Sequence, residues 1–270
     1  IAPPHNRKQF EDINDTDFAY ELGAEGRFRV NVFRDRKGPG AVFRWIPSKI
    51  TTAEELSLPR SVIKLCNLPK GLILVTGPTG SGKTTTIGAM IDHINKTRHA
   101  HIITIEDPIE LVHENDCCII NQREVYNHTS SFKHALRAAL REDPDIVFIG
   151  ELRDLETIET AIETTETGHL VFATLHTSSA ATTVERIIEQ FPMGKQAQIR
   201  QMLATSLKGV ISQTLLKRKD QSGRVAAMEI LIVNTAISNL IREGKTHQIE
   251  SAIQTGGRQG MILMNDSLLR

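Results

Sequence analysis

The sequence has few of the features that mark disulfide-stabilised, metal-stabilised or membrane-spanning proteins. It has three cysteines in 270 residues, Cys66, Cys117 and Cys118, and none forms a CxxC pair. This cysteine usage is typical of a reducing cytosol. The longest apolar run, around residues 72–75, has the length of a β-strand and is too short to cross a bilayer. We therefore expect a cytoplasmic globular protein.

The sequence also has no excess of either charge. Its 32 basic and 32 acidic residues give a formal net charge of +0. Proteins with a large nucleic-acid interface usually carry excess positive charge, so this balance weighs against a nucleic-acid partner. Hydrophobic residues make up 40% of the chain and charged residues 24%, as is ordinary for globular proteins.

The first segment, residues 1–57, has the pattern of an antiparallel β-sheet. Apolar and polar residues alternate in 17–23, 27–35 and 41–46, and the Gly-Pro-Gly run at 38–40 predicts a turn between the last two strands. The segment is small for a domain. We therefore expect it to be the C-terminal part of a longer N-terminal domain, followed by a linker.

The pattern changes at residue 58, where short apolar strands begin to alternate with helices. This alternation predicts an α/β domain with a parallel sheet and crossover helices over residues 58–270. The predicted strands are 72–76, 101–105, 145–149 and 170–175, with two more near 210–216 and 225–231. The predicted helices cover about 83–96, 131–141, 155–166 and 179–189.

The stretch GPTGSGKT, residues 77–84, predicts a phosphate-binding loop. It matches G-x-x-x-x-G-K-[ST] between a predicted strand and a predicted helix. Lys83 is expected to contact the β- and γ-phosphates of ATP, and the Thr84 hydroxyl to bind Mg²⁺. The predicted nucleotide-binding residues of this loop are Gly77, Pro78, Thr79, Gly80, Ser81, Gly82, Lys83, Thr84 and Thr85.

Acidic residues follow two of the predicted parallel strands. Glu151 comes just after strand 145–149, at the carboxyl edge where parallel sheets bind ligands. It is the candidate for polarising the attacking water and for holding Mg²⁺ through a water. Glu106, Asp107 and Glu110 follow the strand at 101–105. Carboxylates this close repel one another unless a metal ion or an arginine lies nearby.

Two histidines flank the strand at 170–175. His176 follows it, at the edge expected to face ligands, and could donate a hydrogen bond to the γ-phosphate. His169 precedes it. The alternative for both is a solvated histidine without a functional role.

Four motifs together resemble those of the secretion ATPases. The phosphate loop, IEDPIE (105–110), REDPDIVFIGELRD (141–154) and GHLVFATLHT (168–177) match that family's Walker A motif, Asp box, Walker B motif and His box in order and spacing. The resemblance covers most of 58–270. It implies a RecA-like ATPase core, preceded by a PAS-like domain of which residues 1–57 are the last part.

Further segments are similar to the pilus retraction branch of the family. NQREV (121–125) is one, and AISNLIREGK (236–245) resembles the AIRNLIRE signature, with Ser238 where arginine is usual. The helical spacing of the second segment places three apolar side chains on one face, those of Ile237, Leu240 and Ile241. The chain also lacks the tetracysteine insert of the assembly enzymes.

The resemblance assigns roles to residues that the sequence pattern alone leaves open. It implies that Arg29 and Arg44, from the N-terminal strands, contact the nucleotide and act in catalysis. It also supports catalytic roles for Glu106 and His176 beside Glu151, and nucleotide binding by His169.

The function implied is that of a homohexameric motor ATPase that drives type IV pilus retraction and twitching motility in bacteria. It would work at the cytoplasmic face of the inner membrane, peripheral to the bilayer, on the membrane-embedded platform protein of the pilus. The nearest alternatives are a pilus-assembly or type II secretion ATPase and an accessory retraction paralogue. More distant alternatives are a RecA-like nucleic-acid motor and a nucleotide-gated scaffold that does not hydrolyse ATP.

Overall fold

The computed structural model describes residues 1–23, 26–46, 49–220 and 223–269. They form a three-stranded antiparallel sheet followed by a seven-stranded, mainly parallel sheet with helices on both faces. This α/β arrangement confirms the predicted fold class.

The N-terminal sheet has the strand order β1-β2-β3, with one helix packed beside β1. Its elements are α1 (Pro4–Ile13), β1 (Asp15–Glu21), β2 (Arg27–Asp35) and β3 (Gly38–Ile46). The strands agree with the predicted alternation, but the turn predicted at 38–40 is wrong. Gly38 pairs with Asp35 and Gly40 with Phe33, so the turn falls at residues 36–37 and the Gly-Pro-Gly run begins β3.

The second sheet has the strand order β10-β9-β4-β8-β7-β5-β6, in which β10 alone runs antiparallel to its neighbour. Its strands are β4 (Gly71–Thr76), β5 (His101–Glu106), β6 (Ile119–Glu124), β7 (Ile146–Ile149), β8 (Leu170–Leu175), β9 (Leu207–Lys217) and β10 (Arg224–Ile232). The sequence pattern did not predict β6, because its polar residues at 121–124 do not resemble a buried strand.

Helices cover both faces of this sheet, so β4, β7 and β8 are buried at every position, as expected for central parallel strands. The helices are α2 (Arg60–Cys66), α3 (Lys83–Thr97), α4 (Phe132–Ala139), α5 (Leu155–Glu166), α6 (Ala180–Glu189), α7 (Met193–Ser206), α8 (Thr235–Arg242), α9 (Ile249–Thr255) and α10 (Met264–Leu268). Side chains of α2 and α3 pack in one apolar core, and those of α4 to α9 in the other.

Helix α8 has the apolar face that its sequence predicts. Ile237 and Ile241 are fully buried, and Leu240 packs against the same core. The side-chain oxygen of Asn234 accepts a hydrogen bond from the backbone N–H of Ile237 and caps the helix. No helix in the described ranges combines the length and apolar character needed to span a membrane.

Candidate active site

The loop between β4 and α3 has a backbone that requires glycine. Gly80 and Gly82 have φ values of 77° and 88°, in the left-handed region that side chains disfavour. At Gly77, with φ of 144°, an added Cβ would lie 2.3 Å from the carbonyl oxygen of Gln213. The Gln213 side chain also donates a hydrogen bond to the Ser81 carbonyl at 2.6 Å. The neighbouring strand β9 therefore holds the loop closely.

The loop leads into a helix start with free hydrogen-bonding capacity. Helix α3 begins at Lys83 without a side-chain cap, whereas Ser131 caps α4 and Asp154 caps α5. The first N–H groups of a helix have no partners within it. The Ser81 hydroxyl is also buried and has no hydrogen-bond partner within the described part of the chain. These groups fit the oxygen atoms of a bound phosphate.

The Lys83 side chain folds back over this loop. Its ammonium donates hydrogen bonds to the carbonyl oxygens of Gly77 at 2.8 Å and Pro78 at 3.1 Å. Partial burial lowers the pKa of the ammonium, and the negative charges of Glu151 and Glu110 oppose that shift. The cation therefore lies between the loop and the carboxylates across the cleft.

A cleft of about 410 Å³ lies between the two sheets, at the carboxyl edge of β4, β5, β7 and β8. It brings together most of the residues that the sequence predicts for the site. Those lining it are Arg29, Arg44, Thr79, Gly80, Gly82, Lys83, Thr84, Thr85, Glu106, Glu151 and His176. Gly77, Pro78 and Ser81 belong to the same loop without lining the cleft.

Glu151 lies at the centre of a polar network in this cleft. One carboxylate oxygen is 3.2 Å from Nε2 of His176, and the other accepts a hydrogen bond from Nε of Arg153 at 2.8 Å. Nη1 of Arg153 lies 3.5 Å from Asp107. Two neighbours thus fix the direction of the Glu151 carboxylate. Arg153 is not among the residues that the sequence predicts for the site, although it belongs to the same GELRD segment as Glu151.

Two acidic residues after β5 form ion pairs with arginines. Their close spacing predicts either a metal ion or an arginine as the partner. Arg153 faces Asp107, and Nη1 of Arg29 lies 3.8 Å from Oε1 of Glu110. Burial raises the pKa of Asp107, and its neighbours Arg153 and Arg29 act against that shift.

Glu106 differs from these carboxylates because it is almost completely buried. Burial raises its pKa to about 7, while hydrogen bonds from the Thr104 hydroxyl and the Gln122 amide act in the opposite direction. A large fraction of this carboxyl is therefore protonated at neutral pH. A carboxyl with a pKa near neutrality can accept or release a proton at that pH, so Glu106 stays a candidate beside Glu151, whose carboxylate is held in the cleft by His176 and Arg153.

Both predicted arginines come from the N-terminal sheet. Arg29 on β2 lies directly opposite Arg44 on β3, so the two guanidinium groups reach the cleft from neighbouring strands. Trp45 and Ile46 line the cleft beside them, and Arg224 lines it from β10. These last three residues are not among those that the sequence predicts for the site.

His169 lies elsewhere. It precedes β8, at the edge of the sheet opposite to the phosphate loop, and its Nδ1 is 2.9 Å from the carbonyl oxygen of Thr164. Within one chain, the geometry gives no support to the predicted contact between His169 and the nucleotide.

Comparison with known proteins identifies the family. The model of the type II/IV secretion system protein family matches residues 15–265. The chain belongs to this family. It is 57% identical over 261 residues to the type IV pilus retraction ATPase PilT of Pseudomonas aeruginosa, covering 97% of this chain and 76% of that protein. It is 55% identical over 268 residues to a twitching motility protein of Neisseria gonorrhoeae, covering 99% and 72%.

A solved structure of the same family has the same fold. The crystal structure of the pilus retraction motor PilT with bound ADP superposes with a TM-score of 0.88 at 50% identity, and the match covers 99% of this chain and 80% of that one. A secretion-family relative of known structure therefore binds an adenine nucleotide. In the present chain the phosphate loop, two arginines and Glu151 line one cleft.

Proposed function

We propose that this chain is the ATP-hydrolysing subunit of a motor that retracts type IV pili. The observation that carries this proposal is the cleft shared by the two sheets. Arg29 and Arg44 approach it from the N-terminal sheet, and Lys83 and Glu151 from the parallel sheet. A nucleotide held there contacts both sheets at once. The likeness to PilT supports pilus retraction as the process that uses its hydrolysis.

The cleft residues divide the work of phosphoryl transfer. Lys83 and the first turn of α3 bind the phosphates, and the guanidinium groups of Arg29 and Arg44 stabilise the charge on the γ-phosphate in the transition state. Glu151 orients and polarises the attacking water. His176, whose Nε2 is 3.2 Å from Glu151, keeps that carboxylate directed into the cleft, and the same N–H donates to a phosphate oxygen once ATP is bound.

The site also fits Mg²⁺ as the partner of ATP. The Thr84 hydroxyl, at the start of α3, would supply an oxygen ligand to Mg²⁺, and Glu151, across the same cleft, would act on it through a bound water. Magnesium in such sites is held mostly by phosphates and waters, and it neutralises phosphate charge during the reaction. No cluster of three His, Cys, Asp or Glu side chains suited to a metal occurs in the described ranges, which agrees with that mode of binding.

Hydrolysis causes movement because the site spans two units. We place the first at residues 1–57, as part of a PAS-like domain, and the second at residues 58–270, as a RecA-like domain. The arginines of the first unit lose their partner when the γ-phosphate leaves, so the preferred position of that unit changes. Six such subunits in a ring at the cytoplasmic face of the inner membrane would convert this change into movement of the platform protein, without a nucleic-acid partner.

The enzymatic part of the proposal is tested by phosphate release from Mg-ATP. We expect the wild type to hydrolyse ATP and Glu151→Gln to reduce kcat by at least about 100-fold, because the water loses its general base. The matched control is Glu159→Gln on α5. Glu159 lies 3.3 Å from Lys195 and does not line the cleft, so its removal should leave kcat within about twofold. Equal rates for the wild type and Glu151→Gln contradict the proposal.

The mechanical part is tested separately. Native mass spectrometry should show six copies with bound nucleotide, and a strict monomer at micromolar concentration contradicts the ring. Electron microscopy of cells lacking the protein should show more pili than the wild type. Loss of pili instead indicates an assembly ATPase on the same fold.

A further inference from the structure

Strand β6 forms the edge of the parallel sheet next to the acidic loop, residues 107–113, which follows β5. The NQREV segment (121–125) covers the end of β6 and the residue after it, and the mechanism above gives it no role. Side chains alternate along a strand, so Gln122 and Glu124 lie on one face and Arg123 on the other. Arg123 pairs with Glu142 at 2.9 Å, away from the cleft. Gln122 and Glu124 instead contact the loop that follows β5.

Glu124 joins two parts of the molecule through one atom. Its Oε2 accepts a hydrogen bond from Nη2 of Arg27 at 3.3 Å and another from the backbone N–H of Ile109 at 3.0 Å. Arg27 belongs to β2 of the N-terminal sheet, and Ile109 belongs to the acidic loop. The other carboxylate oxygen accepts from the Asn127 side chain. The Glu124 side chain is 6% exposed, so water competes little for these contacts.

Gln122 holds the next part of the same loop. Its side chain donates to the carbonyl oxygen of Leu111 at 2.8 Å and accepts from the backbone N–H of His113 at 2.8 Å. The residues on both sides of Glu110 are therefore fixed to β6, at Ile109 by Glu124 and at Leu111 by Gln122. The position of Glu110 in the cleft is set by this strand.

The N-terminal sheet is fixed through the same carboxylate. Arg27 lies two residues before Arg29 on β2, so both side chains leave the same face of that strand. Arg29 lies 3.8 Å from Glu110 and lines the cleft. The contact between Arg27 and Glu124 therefore lies beside the one between Arg29 and Glu110, and both join the same two units.

We propose that Glu124 is a positioning residue for ATP hydrolysis. One of its carboxylate oxygens accepts hydrogen bonds from Arg27 and from the acidic loop, and these two bonds hold Arg29 and Glu110 in position relative to each other. This inference rests on the proposed ATPase function. Nε of Arg27 is buried and has no hydrogen-bond partner among the described residues. Because one donor of Arg27 has no acceptor, the cost of removing this ion pair from water largely offsets the attraction between its charges, and the pair adds little net stability. Its contribution is to the geometry of the cleft.

The test compares Arg27→Gln, Glu124→Gln and the double variant in steady-state ATP hydrolysis. In Glu124→Gln the amide oxygen can still accept from Ile109, but the negative charge and the hydrogen bond from Asn127 are lost. Arg27→Gln leaves both of those Glu124 contacts in place, so it is the variant that isolates the ion pair. We expect each single variant to lower kcat by roughly tenfold or more, because misplacement of a catalytic group by about 1 Å is costly. KM for ATP should stay within about twofold, because the phosphate loop is untouched. The double variant should be no slower than either single variant.

Arg123→Gln is the matched control, because it removes a neighbouring ion pair from the same strand and should leave kcat within about twofold. Circular dichroism and binding of a fluorescent ADP analogue check that each variant is folded. If Glu124→Gln does not fold, Arg27→Gln alone decides, since it leaves the parallel sheet intact. Unchanged kcat in Arg27→Gln, or losses that multiply in the double variant, overturn this inference while wild-type hydrolysis persists. A wild type without ATPase activity overturns the proposed function as well.

Discussion

The two sheets of this molecule contribute differently to stability and to the site. In the parallel sheet, β4, β7 and β8 are buried at every position and lie between two apolar cores. In the N-terminal sheet, most of β3 is exposed and Ile46 is its one buried residue. Yet this thinly packed sheet supplies Arg29 and Arg44 to the cleft. The parallel sheet provides the phosphate loop and Glu151 at one edge, and the N-terminal sheet provides the two arginines that face them across the cleft.

The difference in packing is tested most strongly by removing one phenylalanine from each sheet. Phe172 on β8 is fully buried, whereas Phe43 on β3 is 49% exposed and contacts Phe28 edge to face. We expect Phe172→Ala to lower the free energy of unfolding by about 3–5 kcal/mol, because it leaves a cavity in the core. Phe43→Ala should cost less than about 1 kcal/mol. Urea unfolding followed by circular dichroism measures both.

The same two variants show whether side-chain packing or nucleotide binding determines the stability of each sheet. If Phe43→Ala destabilises the isolated chain as much as Phe172→Ala, the N-terminal sheet is as well packed as the parallel sheet and the contrast is wrong. If both losses disappear when ADP is added in excess, nucleotide binding dominates the stability of both sheets.

A second prediction concerns charge inside the parallel sheet. The pKa of Glu106 is raised by burial to about 7, above the usual 4.5, so ionisation of this carboxyl destabilises the folded state. Its contribution to the free energy of unfolding is complete below about pH 4.5 and is lost as the pH rises through about 7. Between pH 5 and 8.5 we expect the wild type to lose about 2–3 kcal/mol relative to Glu106→Gln, which does not titrate.

Urea unfolding at the two pH values measures this difference. Glu159→Gln, which changes a partly exposed glutamate of α5, is the control and should follow the wild type. Identical pH dependence in the wild type and Glu106→Gln would show that the Glu106 carboxyl has an ordinary pKa and is ionised in the folded protein.

The sequence predicts the parallel sheet well because buried strands leave long apolar runs and the phosphate loop has a fixed spacing. It misses β6 because that strand is at an edge and its side chains make polar contacts. Gln122 and Glu124 are held by partners from another loop and another sheet, and no local pattern shows such partners. The same limit applies to Arg27, since nothing in the sequence around it indicates a partner on β6. Contacts between distant segments require the structure.

The site could be predicted from the sequence because most of its motifs follow the carboxyl end of a parallel strand, where such sheets bind ligands. Strand ends place Lys83, Glu151 and His176 at one edge, and the structure places all three around the cleft. The same rule separates His169 from them, because a residue before a parallel strand lies at the opposite edge. Assignment of Arg29 and Arg44 needed the family resemblance, since strand arginines are usually solvated.

The smallest expected effect concerns Trp45, which tests whether the N-terminal sheet contributes more than charge. Trp45 lines the cleft and is 58% exposed, so we expect its indole ring to contact the aromatic base of a bound nucleotide. Stacking of this kind is worth about 0.5–1.5 kcal/mol, so Trp45→Ala should weaken binding of a fluorescent ADP analogue by roughly 2- to 10-fold. Its kcat should change less than twofold, because the phosphate-binding groups stay in place. Phe43→Ala, an aromatic truncation two residues away on the same strand and outside the cleft lining, should leave affinity unchanged. Equal affinities for the wild type and Trp45→Ala would restrict the role of the N-terminal sheet to its arginines.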